Sequence, residues 1–448
     1  MAQSMPAARP KLSVKEQLLK KITNRTAVVG VVGLGYVGLP FAVEKAKVGF
    51  KVIGVEENPA RAAKIGRGEN YIRDVDDRDL REAVSAGRLK ALSDYSAVPE
   101  MDVVVICVPT PLTKNLTPDL SHVEHVAREI AGRLRPGQLI SLESTTYPGT
   151  TEELVLPILE SSGLKAESDF FLVHSPERVD PGNKRYTTRN ISKVLGGVGP
   201  ASAEVGAAFY RQTVANLVAV SSARAAELVK VFENTFRAVN IALVNELAML
   251  CDRMNLNVWE VLEAAFTKPF GIMPFYPGPG VGGHCIPVDP HYLEWKAKEL
   301  GFDTHFIGLA GETNRRMPFF VRDKILRLLN RMGLAPSCSQ IFFLGVTYKK
   351  DVPDCRESPA VKIMELLLED GARISYHDPL VPKIHIGGAE FCSSPLTKEE
   401  ISGADLVVIT TDHSCVDYEA VASWSRHVFD TRNATKLLNN YRERITLL

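Results

Sequence analysis

The sequence predicts an α/β protein made of two Rossmann-like doubly wound domains joined by a long central helix. Three observations carry that expectation. Short Val/Ile-rich runs recur at helix-length intervals near both ends of the chain, and one strand-to-helix turn holds three glycines at fixed spacing. A helical pattern of about 35 residues separates the two regions.

Taken in order, residues 1–25 are polar and basic, and Leu12, Leu18, Leu19 and Ile22 mark one short amphipathic helix. Apolar runs follow at Ala27–Val32, Lys51–Val55, Asp102–Val108, Leu139–Leu142 and Phe170–Val173. Continuous rather than alternating runs fit strands buried on both faces of a parallel sheet, giving a first domain over 1–220. From Ser221 to about Asn255, residues Leu228, Val231, Phe232, Thr235, Val239, Ala242 and Glu246 step by three or four, with no Gly or Pro. A helix of roughly 50 Å is longer than one small domain covers. It is expected to open a central helical domain over 221–330, with its spare apolar faces forming a seam in a homodimer or higher homo-oligomer. Around Arg331–Ser339 the text turns to loop, and a third domain spans 331–448. Its expected strands are Ile341–Val346, Arg373–Tyr376, Asp405–Thr410 and His427–Phe429. Ser358 and Pro359 read as N-cap and first residue of a helix ending near Gly371.

Composition removes several function classes. The 448 residues carry 53 Lys+Arg against 53 Asp+Glu, and this balance argues against a nucleic-acid or anionic-membrane binder. No apolar run approaches the roughly 18 residues that span a bilayer. Met1 to Pro10 lacks the apolar stretch of a signal peptide. Seven irregularly spaced cysteines read as reduced thiols, so a cytoplasmic location is expected.

Ala27–Val32 leads into Gly33-Leu34-Gly35-Tyr36-Val37-Gly38 and then a helix through Phe41, Ala42 and Ala46. Gly33 permits the tight turn, Gly35 lets backbone N–H groups approach a pyrophosphate, and Gly38 allows close helix–strand packing. The next strand ends in Glu56, 18 residues after Gly38. A carboxylate there accepts ribose hydroxyls and repels a 2′-phosphate, so NAD is the expected cofactor. An ordinary βα turn without cofactor is the competing reading, and Glu57 competes for the ribose.

A second constellation is a thiol in a glycine-rich loop. Phe275–Pro290 reads FYPGPGVGGHCIPVDP, which cannot be helix or strand and places Cys285 where backbone and thiol meet a ligand. Cys107 and Cys251 sit in apolar patterns and read as small core residues. An ordinary thiol is only a few per cent thiolate at pH 7, so Cys285 needs a nearby cation or donor. Asp289 precedes Pro290 and a helix to about Leu300, and spacing favours an N-cap role for it. No metal site is expected, because no second Cys/His pair accompanies His284. Lys230 and Asn234 are i and i+4 on the long helix, either a solvated polar stripe or two donors aimed at one oxygen.

Assembled in order, these stretches resemble the UDP-glucose/GDP-mannose dehydrogenase family over nearly the whole chain. The motifs are GLGYVGLP (33–40), VPTP (108–111), ESTTYPGTT (143–151), HSPERVDPG (174–182) and ELVKVFENTFRAVNIALVNELA (227–248). PGPGVGGHCIPVDP (277–290) and GVTYKKDVPDCRESPA (345–360) complete the set. The form around the thiol, followed by Tyr292-Leu293-Glu294-Trp295-Lys296-Ala297, is most similar to the branch that oxidises UDP-N-acetylglucosamine.

The resemblance implies a four-electron oxidation of a sugar C6 alcohol to a carboxylate with two NAD in succession. Cys285 would be the nucleophile, assisted by Lys230, Asn234, Glu177, Asp289 and Thr145. It implies cofactor contacts by Gly33, Gly35, Tyr36, Val37, Gly38, Glu56, Thr110, Thr145 and Arg356. UDP-sugar contacts would come from Glu177, Arg178, Lys230, Asn234, Gly282, Lys349 and Arg432. One departure stands out: where UDP-glucose dehydrogenases carry a second glutamate, this chain has Pro181, beside Asp180. That weakens UDP-glucose and leaves UDP-GlcNAc as the first expectation, with UDP-ManNAc, UDP-GalNAc and UDP-glucose as alternatives. Polysaccharide or lipopolysaccharide biosynthesis would be the setting. Rival readings are a one-step hydroxyacid-type NAD dehydrogenase and a non-catalytic nucleotide-sugar or NAD sensor.

Overall fold

The computed structural model describes residues 12–72, 74–113, 115–179, 186 and 189–448. Asp180 and Pro181 lie outside them. The chain forms two compact units, one ending at Phe232 and one running from Glu233 to Leu448.

The first unit opens with the expected amphipathic helix, Val14–Thr23. Ser13 and Glu16 close a capping box at its start, and Leu18 and Ile22 are its buried residues. An eight-stranded sheet follows, with β1 (Val28–Val32), β2 (Lys51–Val55), β3 (Leu89–Leu92), β4 (Val103–Ile106), β5 (Leu139–Leu142), β6 (Phe171–His174), β7 (Lys193–Gly197) and β8 (Leu217–Ala219). The strand order is β3-β2-β1-β4-β5-β6-β7-β8. Pairing is parallel except between β6 and β7. The inner strands VVGVV, VVVI and LISL are buried almost throughout because helices cover both faces, which yields two hydrophobic cores rather than one. The order reverses between β1 and β4, and the crevice beyond the carboxyl ends of strands at such a reversal is where doubly wound sheets bind ligands.

The second unit holds a five-stranded parallel sheet: β9 (Gln340–Leu344), β10 (Arg373–His377), β13 (Leu406–Ile409), β14 (Val428–Asp430) and β15 (Ile445–Leu447), ordered β10-β9-β13-β14-β15. A separate antiparallel hairpin joins β11 (Lys383–Ile386) to β12 (Ala389–Cys392). Ser358 is the N-cap of the helix Pro359–Glu369, as expected, but its hydroxyl makes no capping bond and is buried without a partner among the described residues.

The central helix runs Ala223–Met254, 32 residues. Leu228, Phe232, Leu243, Leu250 and Met254 are exposed along it. A second long helix, His305–Arg331, contains Pro318. Sequence expectations omit it, because proline removes a hydrogen bond and ordinarily ends a helix. Among the described residues no helix is long and apolar enough to cross a membrane.

Candidate active site

In the first unit the glycine turn follows β1. Gly33 has φ of 86°, and a Cβ there would meet the Cys107 carbonyl oxygen at 2.5 Å. A Cβ on Gly38 would meet the Gly33 carbonyl oxygen at 1.8 Å, so this glycine lets the helix start against the turn. Gly35 differs, since among the described residues, its two chain neighbours aside, a Cβ there would have nothing within 4 Å. Tyr36 is exposed and Val37 half-buried. Val37 is the N-cap of the helix Gly38–Lys47 and supplies no side-chain cap, so the positive end of that helix faces the turn. Glu56, at the end of β2, is buried and accepts the N–H groups of Leu34 and Asn58, both at 3.2 Å. Glu57 points elsewhere, toward Tyr95 and His125. A bare backbone cradle, an uncapped helix start and an anchored carboxylate fit the pyrophosphate and ribose of NAD.

The neighbouring strand ends carry the rest. Thr110, after β4, is buried, and the Ser144 hydroxyl links the two loops by accepting the Val108 N–H at 2.9 Å. Thr145 is half-buried beside it. Glu177, after β6, accepts the N–H groups of Arg178 at 2.7 Å and Val179 at 2.9 Å through Oε1, and pairs with Lys193 at 3.0 Å through Oε2. Burial pushes its carboxyl up, but Lys193 and these amides hold it below the usual range. The Arg178 guanidinium donates to the Ser192 carbonyl. Lys230 is half-buried on the central helix, one turn from Asn234.

Several residues of this region went unassigned in the sequence. Lys193 also pairs with Glu143 at 2.8 Å, and Tyr210 donates to Glu143 at 2.7 Å. Glu227, on the central helix, accepts from the Gly149 and Thr151 N–H groups and the Thr151 hydroxyl. Burial raises its pKa to about 7 against those donors. His174 is fully buried, neither ring nitrogen has a partner among the described residues, and burial lowers its pKa to about 3. The signal for Glu143 and Glu227 was their place inside the quoted motifs. Lys193 lay outside any motif.

In the second unit the loop before the helix Asp289–Glu299 presents Cys285, which is exposed. Its carbonyl accepts the N–H groups of Val288 at 3.1 Å and Asp289 at 2.9 Å, so thiol and helix start share one turn. The N-cap expectation for Asp289 is corrected here. Val288 is the N-cap, Asp289 is the first helical residue, and its carboxylate accepts the Asn234 amide at 2.5 Å instead. The carboxylate is 2% exposed, which leaves it oriented rather than solvated. The loop is built against the second sheet. A Cβ on Gly282 would meet the Glu357 carbonyl oxygen at 2.6 Å, and Gly283 donates to the Arg356 carbonyl at 3.0 Å. The Arg356 guanidinium itself chelates Asp354. His284 is held below its ordinary pKa by burial and then by Arg356.

Lys349 and Arg432 occupy the carboxyl edge of the second sheet, where its strand order reverses between β9 and β13. Arg432 donates to the Thr410 carbonyl at 2.9 Å and lies against Gly278, where a Cβ would meet the guanidinium at 2.6 Å. The segment around Lys349 is pinned by His413. Its Nε2 lies 3.1 Å from the Asp378 carboxylate, and its Nδ1 accepts the Asp351 N–H at 3.1 Å. Asp378 in turn accepts the Val346 N–H at 2.8 Å, and Thr347 donates to the Lys349 carbonyl at 3.0 Å. The two units thus each gather part of the expected set, Gly33 to Lys230 in one and Asn234 to Arg432 in the other.

Comparison with known proteins gives three matches along the chain. Residues 27–214 match the NAD binding domain of the UDP-glucose/GDP-mannose dehydrogenase family, 224–316 its central domain, and 342–437 its UDP binding domain. A UDP-N-acetyl-D-mannosamine dehydrogenase from Pyrococcus horikoshii is 37% identical over 414 residues, 91% of this chain and 96% of that protein. A UDP-N-acetyl-D-glucosamine 6-dehydrogenase from Pseudomonas aeruginosa is 36% identical over 388 residues, 86% of this chain and 90% of its own. Among solved structures, a UDP-D-ManNAc dehydrogenase from Pyrococcus horikoshii aligns with a TM-score of 0.85 at 35% identity, covering 94% of this chain and 98% of that one.

Proposed function

Because the chain belongs to the UDP-glucose/GDP-mannose dehydrogenase family, and is thereby an NAD-dependent UDP-sugar dehydrogenase, we propose that it oxidises C6 of a UDP-N-acetylhexosamine to the uronic acid. UDP-GlcNAc is our first substrate. The observation that carries this is the pair of relatives above, both acting on N-acetylhexosamines, together with Pro181 where UDP-glucose enzymes carry glutamate. UDP-ManNAc is the second reading, favoured by the name of the Pyrococcus relative.

NAD supplies the two-electron acceptor for each of the two oxidations. On our reading the chain does the remainder. Lys230 and Asn234 stabilise oxygen as it gains alkoxide character, and Asp289 holds the Asn234 amide in place. A base, either water held by Asp289 or Lys230, takes the hydroxyl proton. The Cys285 thiolate adds to the aldehyde carbon, forming a thiohemiacetal whose oxidation leaves a thioester. Water oriented by Glu177 and Thr145 cleaves the C–S bond, releasing the acid and returning the thiol. Lys349 and Arg432 neutralise the UDP phosphates. Arg356 is retained for a neighbouring cofactor site, and the exposed apolar stripe on the central helix supports a homodimer seam. A cytoplasmic role in polysaccharide or lipopolysaccharide precursor synthesis completes the reading.

The test counts NADH per sugar consumed with UDP-GlcNAc, UDP-ManNAc, UDP-GalNAc and UDP-glucose in parallel. The expected result is two NADH per sugar and the highest kcat/KM with UDP-GlcNAc. A best rate with UDP-glucose would overturn the substrate assignment, and one NADH per sugar would favour the one-step dehydrogenase.

A further inference from the structure

We propose that Lys193 is a positioning residue for thioester hydrolysis, holding Glu177 as a fixed carboxylate with Glu143, Tyr210 and Ser141 as its buried support. This rests on the reading of Glu177 as the group that orients the hydrolytic water. The Lys193 side chain is 4% exposed at the start of β7, and its ammonium lies 2.8 Å from Glu143 and 3.0 Å from Glu177. Two carboxylates this close cannot both stay ionised without a cation, and the lysine supplies it. Glu143 is anchored in its turn, because its second oxygen accepts the Tyr210 hydroxyl, which lies 2.7 Å from Ser141 Oγ on β5. Lys193 is thereby held by an anchored partner besides Glu177.

On Glu177, Oε2 faces the ammonium and Oε1 takes two backbone N–H groups, so its plane is set from both ends. A carboxylate oriented in this way meets water in one geometry, which is what positioned general-base chemistry requires. The arrangement stands at the carboxyl edge of the sheet, where β5 and β6 end and the antiparallel β7 begins. Burial and the neighbouring Glu177 push the Glu143 carboxyl up against the pull of Lys193, whereas Lys193 and the two amides hold the Glu177 carboxyl below its ordinary range against its burial.

The test uses the full chain with NAD and UDP-GlcNAc, mixed rapidly and followed by NADH absorbance and intact-protein mass. For Lys193→Met we expect the burst of two NADH per site to survive, the steady-state rate to fall on the order of 10²-fold, and an acyl adduct to accumulate on Cys285. Lys193→Arg, which restores the cation, should recover most of the rate. If Lys193→Met gives no cooperative melt, Lys193→Gln is read by the same two signals. A folded uncharged variant that hydrolyses at the wild-type rate, or that loses burst and steady state together, overturns the proposal. Glu177→Gln run alongside separates the two claims. Adduct in Glu177→Gln but not in the Lys193 variants refutes the role of Lys193 alone, whereas no adduct in Glu177→Gln refutes the assignment of Glu177.

Discussion

The Asn234 side-chain amide donates to the Asp289 carboxylate across 2.5 Å, joining the central helix to the first turn after the thiol loop. Since the Cys285 carbonyl caps that same turn, one hydrogen bond fixes an amide donor relative to the segment carrying the proposed nucleophile. Asp289 therefore acts at least partly through Asn234. We predict that Asn234→Ala lowers kcat roughly 10²- to 10³-fold. The double variant Asn234→Ala/Asp289→Ala should lose clearly less than the product of the two single losses. Steady-state kinetics on the four proteins check this, and full multiplicativity would mean the two side chains work independently.

The glycine turn offers a contrast between two alanine substitutions. At Gly35 a methyl group meets no atom within 4 Å among the described residues beyond its chain neighbours, so Gly35→Ala should melt within about 2 °C of wild type while raising the NAD KM at least tenfold. At Gly38 the methyl group collides with the Gly33 carbonyl, and Gly38→Ala should lose several degrees of melting temperature. Thermal melts with and without NAD, paired with KM, distinguish the two. An unchanged NAD KM in Gly35→Ala would remove the pyrophosphate from this turn.

These contrasts also mark how far the sequence could be read. The runs VVGVV and VVVI announced buried parallel strands, and the glycine spacing announced the turn that Gly33 and Gly38 build. β3 and β7 were not legible, because LKAL and KVLGG are short and are interrupted by lysine or glycine, and they owe their strand form to pairing with β2 and β6. Asp289 read as a cap because local spacing records nothing of Asn234, 55 positions away. Lys193 escaped for the same reason: its two carboxylate partners lie 50 and 16 positions off, and only the sheet brings them together.

His174 provides a pH signature. Buried and neutral, it has a folded pKa of about 3 against an ordinary 6.5. The unfolded chain takes up the proton first, so this residue's contribution is intact above pH 6.5 and is lost as pH falls toward 3. Between pH 7.5 and pH 5, His174→Leu should gain about 2 kcal/mol on wild type, at 1.36 kcal/mol per unit. Denaturant melts at the two pH values measure the difference. A constant gap would show that folding does not depress the proton affinity of His174.

His413 should matter to the UDP-sugar and not to NAD. It holds the segment on both sides of Lys349, before it through Asp378 and after it through the Asp351 N–H, so His413→Leu frees the backbone that carries the lysine. The expected outcome is a rise of about tenfold in the UDP-sugar KM with the NAD KM unchanged, as for lost ground-state binding. Equal increases in both constants would indicate general unfolding of the second unit.

The most direct measurement concerns Cys285. With purified Cys285→Ser, NAD and UDP-GlcNAc, the product is assayed for uronic acid and the NADH formed per sugar consumed is counted. Covalent capture through sulfur predicts two NADH and a uronic acid for the wild type, and no uronic acid from the serine variant, with at most one NADH per sugar. A serine variant that turns over to the acid with two NADH per sugar would contradict the account.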